Sequence, residues 1–368
     1  MSDNSKPTKT ISDFEAKLSE ADKSVASFDG NDQSLIAKGR IFLGTNPTAI
    51  PAIILVVSIL IFSVIAHNFM NPVTLSTILK QVSVVGIIAI AQTIVILTAG
   101  IDLSVGMMLV IATMVMGRFA TLDAYLFPIW LVVPMGIAIG GLMGAFNGLL
   151  VTRARIPPFI ATLGTYFIFR ALNQWYTGSE SVRPTDLDNK APGLLIFGHP
   201  PTIFGHPLEF GGFSAIGGTY AMLVIAAIVW YMLNRTAWGR HVHAVGDDPD
   251  AAMLSGIQIN STLVSVYALA GLICGVGAWI AIGRVGSISP ISFENINLES
   301  ITAVVIGGTS LFGGRASIVG SVLGAMIVGV FNMGLSLAGV DSYWQMFASG
   351  CLIIAAVAID QWLRRASK

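Results

Sequence analysis

Six consecutive residues, Asp247-Asp248-Pro249-Asp250-Ala251-Ala252, carry the chemistry of a helix start, and Gly256 carries that of a helix stop. A carboxylate at Asp248 can accept hydrogen bonds from the free N–H groups of a first helical turn. Proline suits that turn because it has no N–H to satisfy, and Asp250 complements the positive end of the helix dipole. Ala251, Ala252, Met253 and Leu254 continue the helix, and glycine at 256 permits the left-handed turn that ends it. The spacing predicts a two-turn helix with an Ala/Met/Leu face, which is docking chemistry. Arg235, Arg240, His241 and His243 precede it, so the whole segment 235–257 is a polar island between the apolar runs 217–234 and 262–283.

Asp102 is the second residue of interest, lying in TAGIDLSVG (98–106), where Gly100 and Gly106 flank a break between two apolar runs. An ionisable group inside such a run invites a functional reading, and broken helices expose backbone polar groups that only protein or a water-filled cavity can satisfy. Two readings stand: Asp102, with Gln92 and Asn147, lines or gates a polar pathway, or Asp102 caps a helix beginning near Leu103 or Ser104. A second break, GGTSLFGGR (307–315), reads as a tight turn. Arg170 falls mid-run, where it can snorkel or pair with a carboxylate.

The elements that must position these residues are membrane helices. Of the 368 residues, 54% are apolar and 11% charged, against about 25% charged in an ordinary soluble domain. A helix needs about 20 apolar residues to cross the hydrocarbon core. Runs near that length fall at 48–66, 75–99, 104–121, 126–151, 158–177, 217–234, 262–283, 298–312, 317–338 and 343–363, giving ten expected spans in an all-α, polytopic fold. Lys38, Arg40, Arg153, Arg155, Arg235, Arg240, Arg315, Arg364, Arg365 and Lys368 collect on one side, which the positive-inside rule makes cytoplasmic. Both termini and the island at 235–257 are then inside, and the loop 178–216 is outside.

Residues 1–40 are polar and of mixed charge, and read as a cytoplasmic tail ahead of a transmembrane domain at 41–368. The tail is either disordered or carries an amphipathic helix over 11–25. Gly136, Gly140, Gly144 and Gly148 recur every fourth residue, a bare stripe for close helix packing or for a face that slides. Cys274 and Cys351 lie in apolar runs and read as buried apolar residues. No GxxxxGK[ST], HExxH or GxSxG motif is present, so no catalytic residue, metal site or ATP site is expected in this chain. No nucleic-acid partner is expected either.

In order along the chain, TAGIDLSVG (98–106), GLLVTRARIPPFIATLGT (148–165), RTAWGRHVHAVGDDPDAAMLSGI (235–257), AVVIGGTSLFGGRASIVGSVLGA (303–325) and Tyr343-Trp344-Gln345 resemble the sugar-permease family of bacterial ABC importers. The resemblance implies an ABC importer permease fold and the bacterial inner membrane. It implies three protein partners: a second permease copy, a cytoplasmic ATPase that binds the ATP, and a periplasmic sugar-binding protein. The solute is then a monosaccharide, with a lean towards fructose or ribose. It also implies that Asp247, Asp248, Pro249, Asp250, Ala251, Ala252 and Gly256 form the helix on which the ATPase docks. Family members commonly have Gly-Asn-Pro-Glu-Ala-Ala there, so Asp247 adds a charge where glycine is usual. The competing reading is a secondary transporter of a small polar solute, with Asp102 and Arg170 as its thin set of coupling groups.

Overall fold

A computed structural model describes residues 48–366, apart from Tyr125, Phe204 and Gly205; the tail at 1–40 lies outside the described residues. Each of the ten apolar runs holds a helix: α1 (Ala49–Ile65), α2 (Pro72–Leu97), α3 (Val105–Thr121), α4 (Ile129–Thr152), α5 (Pro158–Thr177), α7 (Gly217–Arg235), α10 (Ile259–Val285), α11 (Ile296–Ile306), α12 (Ile318–Leu337) and α13 (Ser342–Ala366). Three shorter helices, α6 (Pro184–Lys190), α8 (Ala237–Asp247) and α9 (Pro249–Leu254), lie between them. Among the described residues, α2, α4, α7, α10 and α12 are long and apolar enough to cross a membrane, and α1, α3 and α11 are shorter apolar helices.

Helix α2 is the centre of the molecule. The Asn71 side chain accepts the Val73 N–H at 3.0 Å and Pro72 opens the first turn, which fixes where the helix starts. From Val82 to Leu97 every residue is buried. A helix apolar on all sides needs such a wrapping, and α7, α10, α11 and α12 supply it. The outer helices turn large apolar side chains outward, such as Leu60 and Val64 on α1, Phe167 and Trp175 on α5, and Leu223 and Ile228 on α7. So broad an apolar surface suits lipid.

Helices α4 and α10 are packed by the glycine stripe. A β-carbon at Gly140 would overlap the carbonyl oxygen of Gly271, and one at Gly144 would overlap that of Tyr267. The stripe is therefore occupied within the chain, as a close backbone-to-backbone seam.

Loop 178–216 is a built structure. It contains α6, a 3-10 helix (Pro192–Gly198) and two small antiparallel hairpins, β1 (Thr202–Ile203) with β2 (His206–Pro207) and β3 (Glu209–Phe210) with β4 (Phe213–Ser214). Leu187, Leu194 and Leu195 are buried, and Phe197 meets Trp279 edge-on at 4.6 Å. The proline and glycine content that made this segment look like a plain loop instead punctuates short elements. Cys274 is buried as expected, whereas Cys351 is exposed on α13.

Candidate functional site

A short helix, α9, stands where the sequence placed one, with the expected cap. Asp248 Oδ1 accepts the N–H groups of Asp250 at 2.9 Å and Ala251 at 3.0 Å, Pro249 occupies the first turn, and Gly256 adopts φ +83°. Asp247, Asp248, Pro249, Asp250 and Ala251 are exposed, and Leu254 is 86% exposed. Ala252 is instead buried at 4% exposure and seats α9 on the body of the protein. Beside it, Thr152, Arg153, Met253, Ile257 and Val264 line a hollow of about 830 Å³ between the ends of α4 and α10.

The sequence reading missed helix α8, which carries this knob. Thr236 caps it by accepting the Gly239 N–H at 3.2 Å, and Gly239, Val242, Val245 and Gly246 form its buried face. The signal was present in the Thr236 cap and the Val242/Val245 spacing, but the flanking Arg and His residues masked it. Trp238 Nε1 donates to Ser265 Oγ at 2.8 Å, tying α8 to α10. At its far end, a β-carbon on Gly246 would overlap the Leu97 carbonyl oxygen, and that oxygen accepts the Gly314 N–H at 3.0 Å. The turn at 307–315, with Gly313 and Gly314 at φ +83° and +75°, therefore grips the end of α2 and the end of α8 together. Helices α8 and α9 are thereby joined directly to the break at 98–104.

Gln92, Asp102 and Asn147 do come together, in one network with no exposed surface. Asp102 Oδ1 accepts the Ser104 N–H at 2.8 Å and the Ser104 hydroxyl at 2.7 Å, which shapes the turn into α3. Asn147 Nδ2 donates to Ser104 Oγ at 2.8 Å and to Asp102 Oδ2 at 3.3 Å, while Gln92 Nε2 donates to the Asp102 carbonyl oxygen. In this arrangement the three residues face one another, and none of them lines the two larger cavities.

A second irregular segment meets this break. From Gly286 to Asn295 the chain is non-helical: Ile288 pairs with Val182, Asn173 Nδ2 donates to the Pro290 carbonyl oxygen at 3.0 Å, and Arg170 pairs with Glu294 at 2.9 Å. Mid-run Arg170 thus has a carboxylate partner. Helix α11 then starts against α3, with Gly106 touching Ile296 and Phe293, and Asn297 Nδ2 donating to the Leu103 carbonyl oxygen at 3.2 Å. At a rise of 1.5 Å per residue, α3 is about 25 Å long and α11 about 16 Å, each less than the roughly 30 Å hydrocarbon core. Two partial helices therefore meet at their amino termini, and the Asp102 carboxylate sits where their positive dipole ends converge. Around it Gln92 Oε1, Asn147 Oδ1, Asn297 Oδ1 and the Tyr267 hydroxyl are buried without a hydrogen-bond partner.

The open polar space lies elsewhere. A cavity of about 590 Å³ is walled by α2, α11, α12 and α13, with Gln81, Glu299, Thr302, Asn332, Gln345 and Ser349 among its lining. Glu299 is an ionisable residue in the run 298–312, so the criterion that drew attention to Asp102 applied equally to it.

A polytopic, mainly helical body, broken helices meeting within it and an exposed, capped helix at one end are the features of a transport-system membrane component. Residues 74–357 match the family described as the branched-chain amino acid transport system / permease component, and the chain belongs to that permease family. It is a multi-pass inner-membrane transport component and not an enzyme. It is 48% identical to the fructose import permease protein of Rhizobium meliloti, over 96% of each chain. To the ribose import permease protein of Bacillus subtilis it is 36% identical, over 84% of this chain and 92% of the relative. The galactose/methyl galactoside import permease protein of Escherichia coli K12 is 33% identical, over 80% and 88%. No solved structure matches the chain.

Proposed function

We propose that this chain is the permease subunit of an ATP-driven importer that carries a monosaccharide, of fructose or ribose type, across the bacterial inner membrane. The observation that carries the reading is the exposed, capped helix α9, held on α8 and clamped through Gly246 and Gly314 to the end of α2. A knob so placed can pass a partner's movement straight to the break at 98–104. Fructose, ribose and galactose permeases among the relatives support a sugar as the solute. A separate cytoplasmic ATPase binds the ATP and docks on Asp247 to Gly256. A periplasmic binding protein delivers the sugar to the opposite end, and a second copy of the permease completes the pathway.

The mechanism follows from the wiring. Closure of the ATPase pair pushes α9 and α8 as one lever, and the lever displaces the end of α2 together with the 307–315 turn. Sugar-loaded binding protein and ATP shift the balance between arrangements only through their different affinities for them.

The test is a pair of surface variants. Leu254→Arg and Asp250→Arg change exposed side chains, so the permease should fold normally while ATPase copurification and uptake fall at least tenfold. Undiminished copurification with both variants overturns the docking assignment. Ala252→Trp is a poor probe, because Ala252 is buried and its replacement dislodges the helix itself.

A further inference from the structure

The cavity between α2, α11, α12 and α13 has a direction. Ser336 lies at the end of α12 and Ser342 at the start of α13, so the mouth opens beside residues 338–341. Glu299 and Thr302 on α11, with Val328 about 15 Å along α12, form the floor. Past the floor the way is shut: a β-carbon at Gly324 would overlap the Ala303 carbonyl oxygen, and one at Gly320 would overlap that of Gly307. The cavity thus lies in the part of the bundle remote from α8 and α9, and α11 and α12 close on each other between it and the 307–315 turn.

Its lining has the chemistry of a polyol site. The side-chain amides of Gln81 and Asn332 make no hydrogen bond to any other residue described, so each offers a free donor and a free acceptor. Glu299 is the single carboxylate, an acceptor for two hydroxyl groups, and Leu298, Val328 and Met333 supply apolar surface for ring C–H groups. No Lys, Arg or His is among the lining residues. At about 590 Å³ the space falls within the roughly 300–1,000 Å³ usual for small-molecule sites.

We propose that this cavity is where the solute is held inside the membrane and that Gln81, Glu299 and Asn332 bind its hydroxyls. The proposal rests on the permease reading above. It moves the solute path away from Gln92, Asp102 and Asn147, which become the fixed anchor of the broken helices.

The experiment uses proteoliposomes holding the complete complex of permease, ATPase and binding protein, with radiolabelled fructose and ribose as probes. Asn332→Leu and Glu299→Leu should each cut uptake at least tenfold while ATPase copurification is unchanged. In a Cys274→Ala/Cys351→Ser background, Ser336→Cys at the mouth should transport until treated with a negatively charged methanethiosulfonate, and added sugar should slow the modification at least threefold. Uptake within twofold of wild type for both leucine variants, together with a silent Ser336→Cys modification, overturns the cavity assignment while leaving the permease reading intact. A wild-type complex that moves neither sugar overturns the permease reading, and the cavity assignment with it.

Discussion

Asp248 and Asp102 are both aspartates beside a helix start, yet only one was fully legible from its neighbours. Asp248 bonds to N–H groups two and three residues away, so local spelling was sufficient. The partners of Asp102 include Asn147, distant in sequence, and no local pattern joins them. The same limit hid Glu294 as the partner of Arg170 and obscured the burial of Ala252, since both depend on which elements meet. Asp102→Ala should leave the Ser104 N–H and the Ser104 hydroxyl buried and short of an acceptor, at about 1–3 kcal/mol each. Thermal unfolding of the detergent-purified permease should therefore begin several degrees lower. Asp102→Asn, which keeps one oxygen for Ser104, should recover part of the loss. An unchanged transition in Asp102→Ala contradicts the anchoring role.

At the scale of elements, hydropathy located all ten helices because each apolar run is long and uninterrupted enough to stand out. It did not reveal that the run at 298–312 stops being helical at Ile306, because Leu311 and Phe312 continue the apolar composition into a turn. Nor could it place the non-helical stretch 286–295 against α3, which is a tertiary fact. The lever at α8 and α9 makes a definite prediction. Gly246 has no room for a side chain against the Leu97 carbonyl oxygen, so Gly246→Val should force α8 away from the break while leaving exposed α9 untouched. ATPase copurification should persist and ATP hydrolysis should no longer drive uptake. Coupled transport at the wild-type rate contradicts the lever.

On the scale of the whole molecule, the contacts sort the connections into two ends. One gathers residues 97–100, 235–257 and 307–315; the other gathers 178–216 with Ile288, and holds Lys190 against Asp123 at 2.6 Å. Charge had sorted the connections the same way, because Arg153, Arg235, Arg240 and Arg315 all belong to the first end. In a cysteine-free background, Gly212→Cys in intact cells should react with a membrane-impermeant maleimide, and Leu254→Cys should react only after permeabilisation. The reverse pattern overturns the proposed sidedness. The central claim concerns energy: this chain moves sugar only when a separate ATPase drives it. The most direct measurement is sugar accumulation in proteoliposomes with and without the ATPase, with ATP or an imposed ion gradient as the only energy source. Accumulation should require the ATPase, its ATP and the binding protein together. Uptake by the permease alone on an ion gradient would contradict the account.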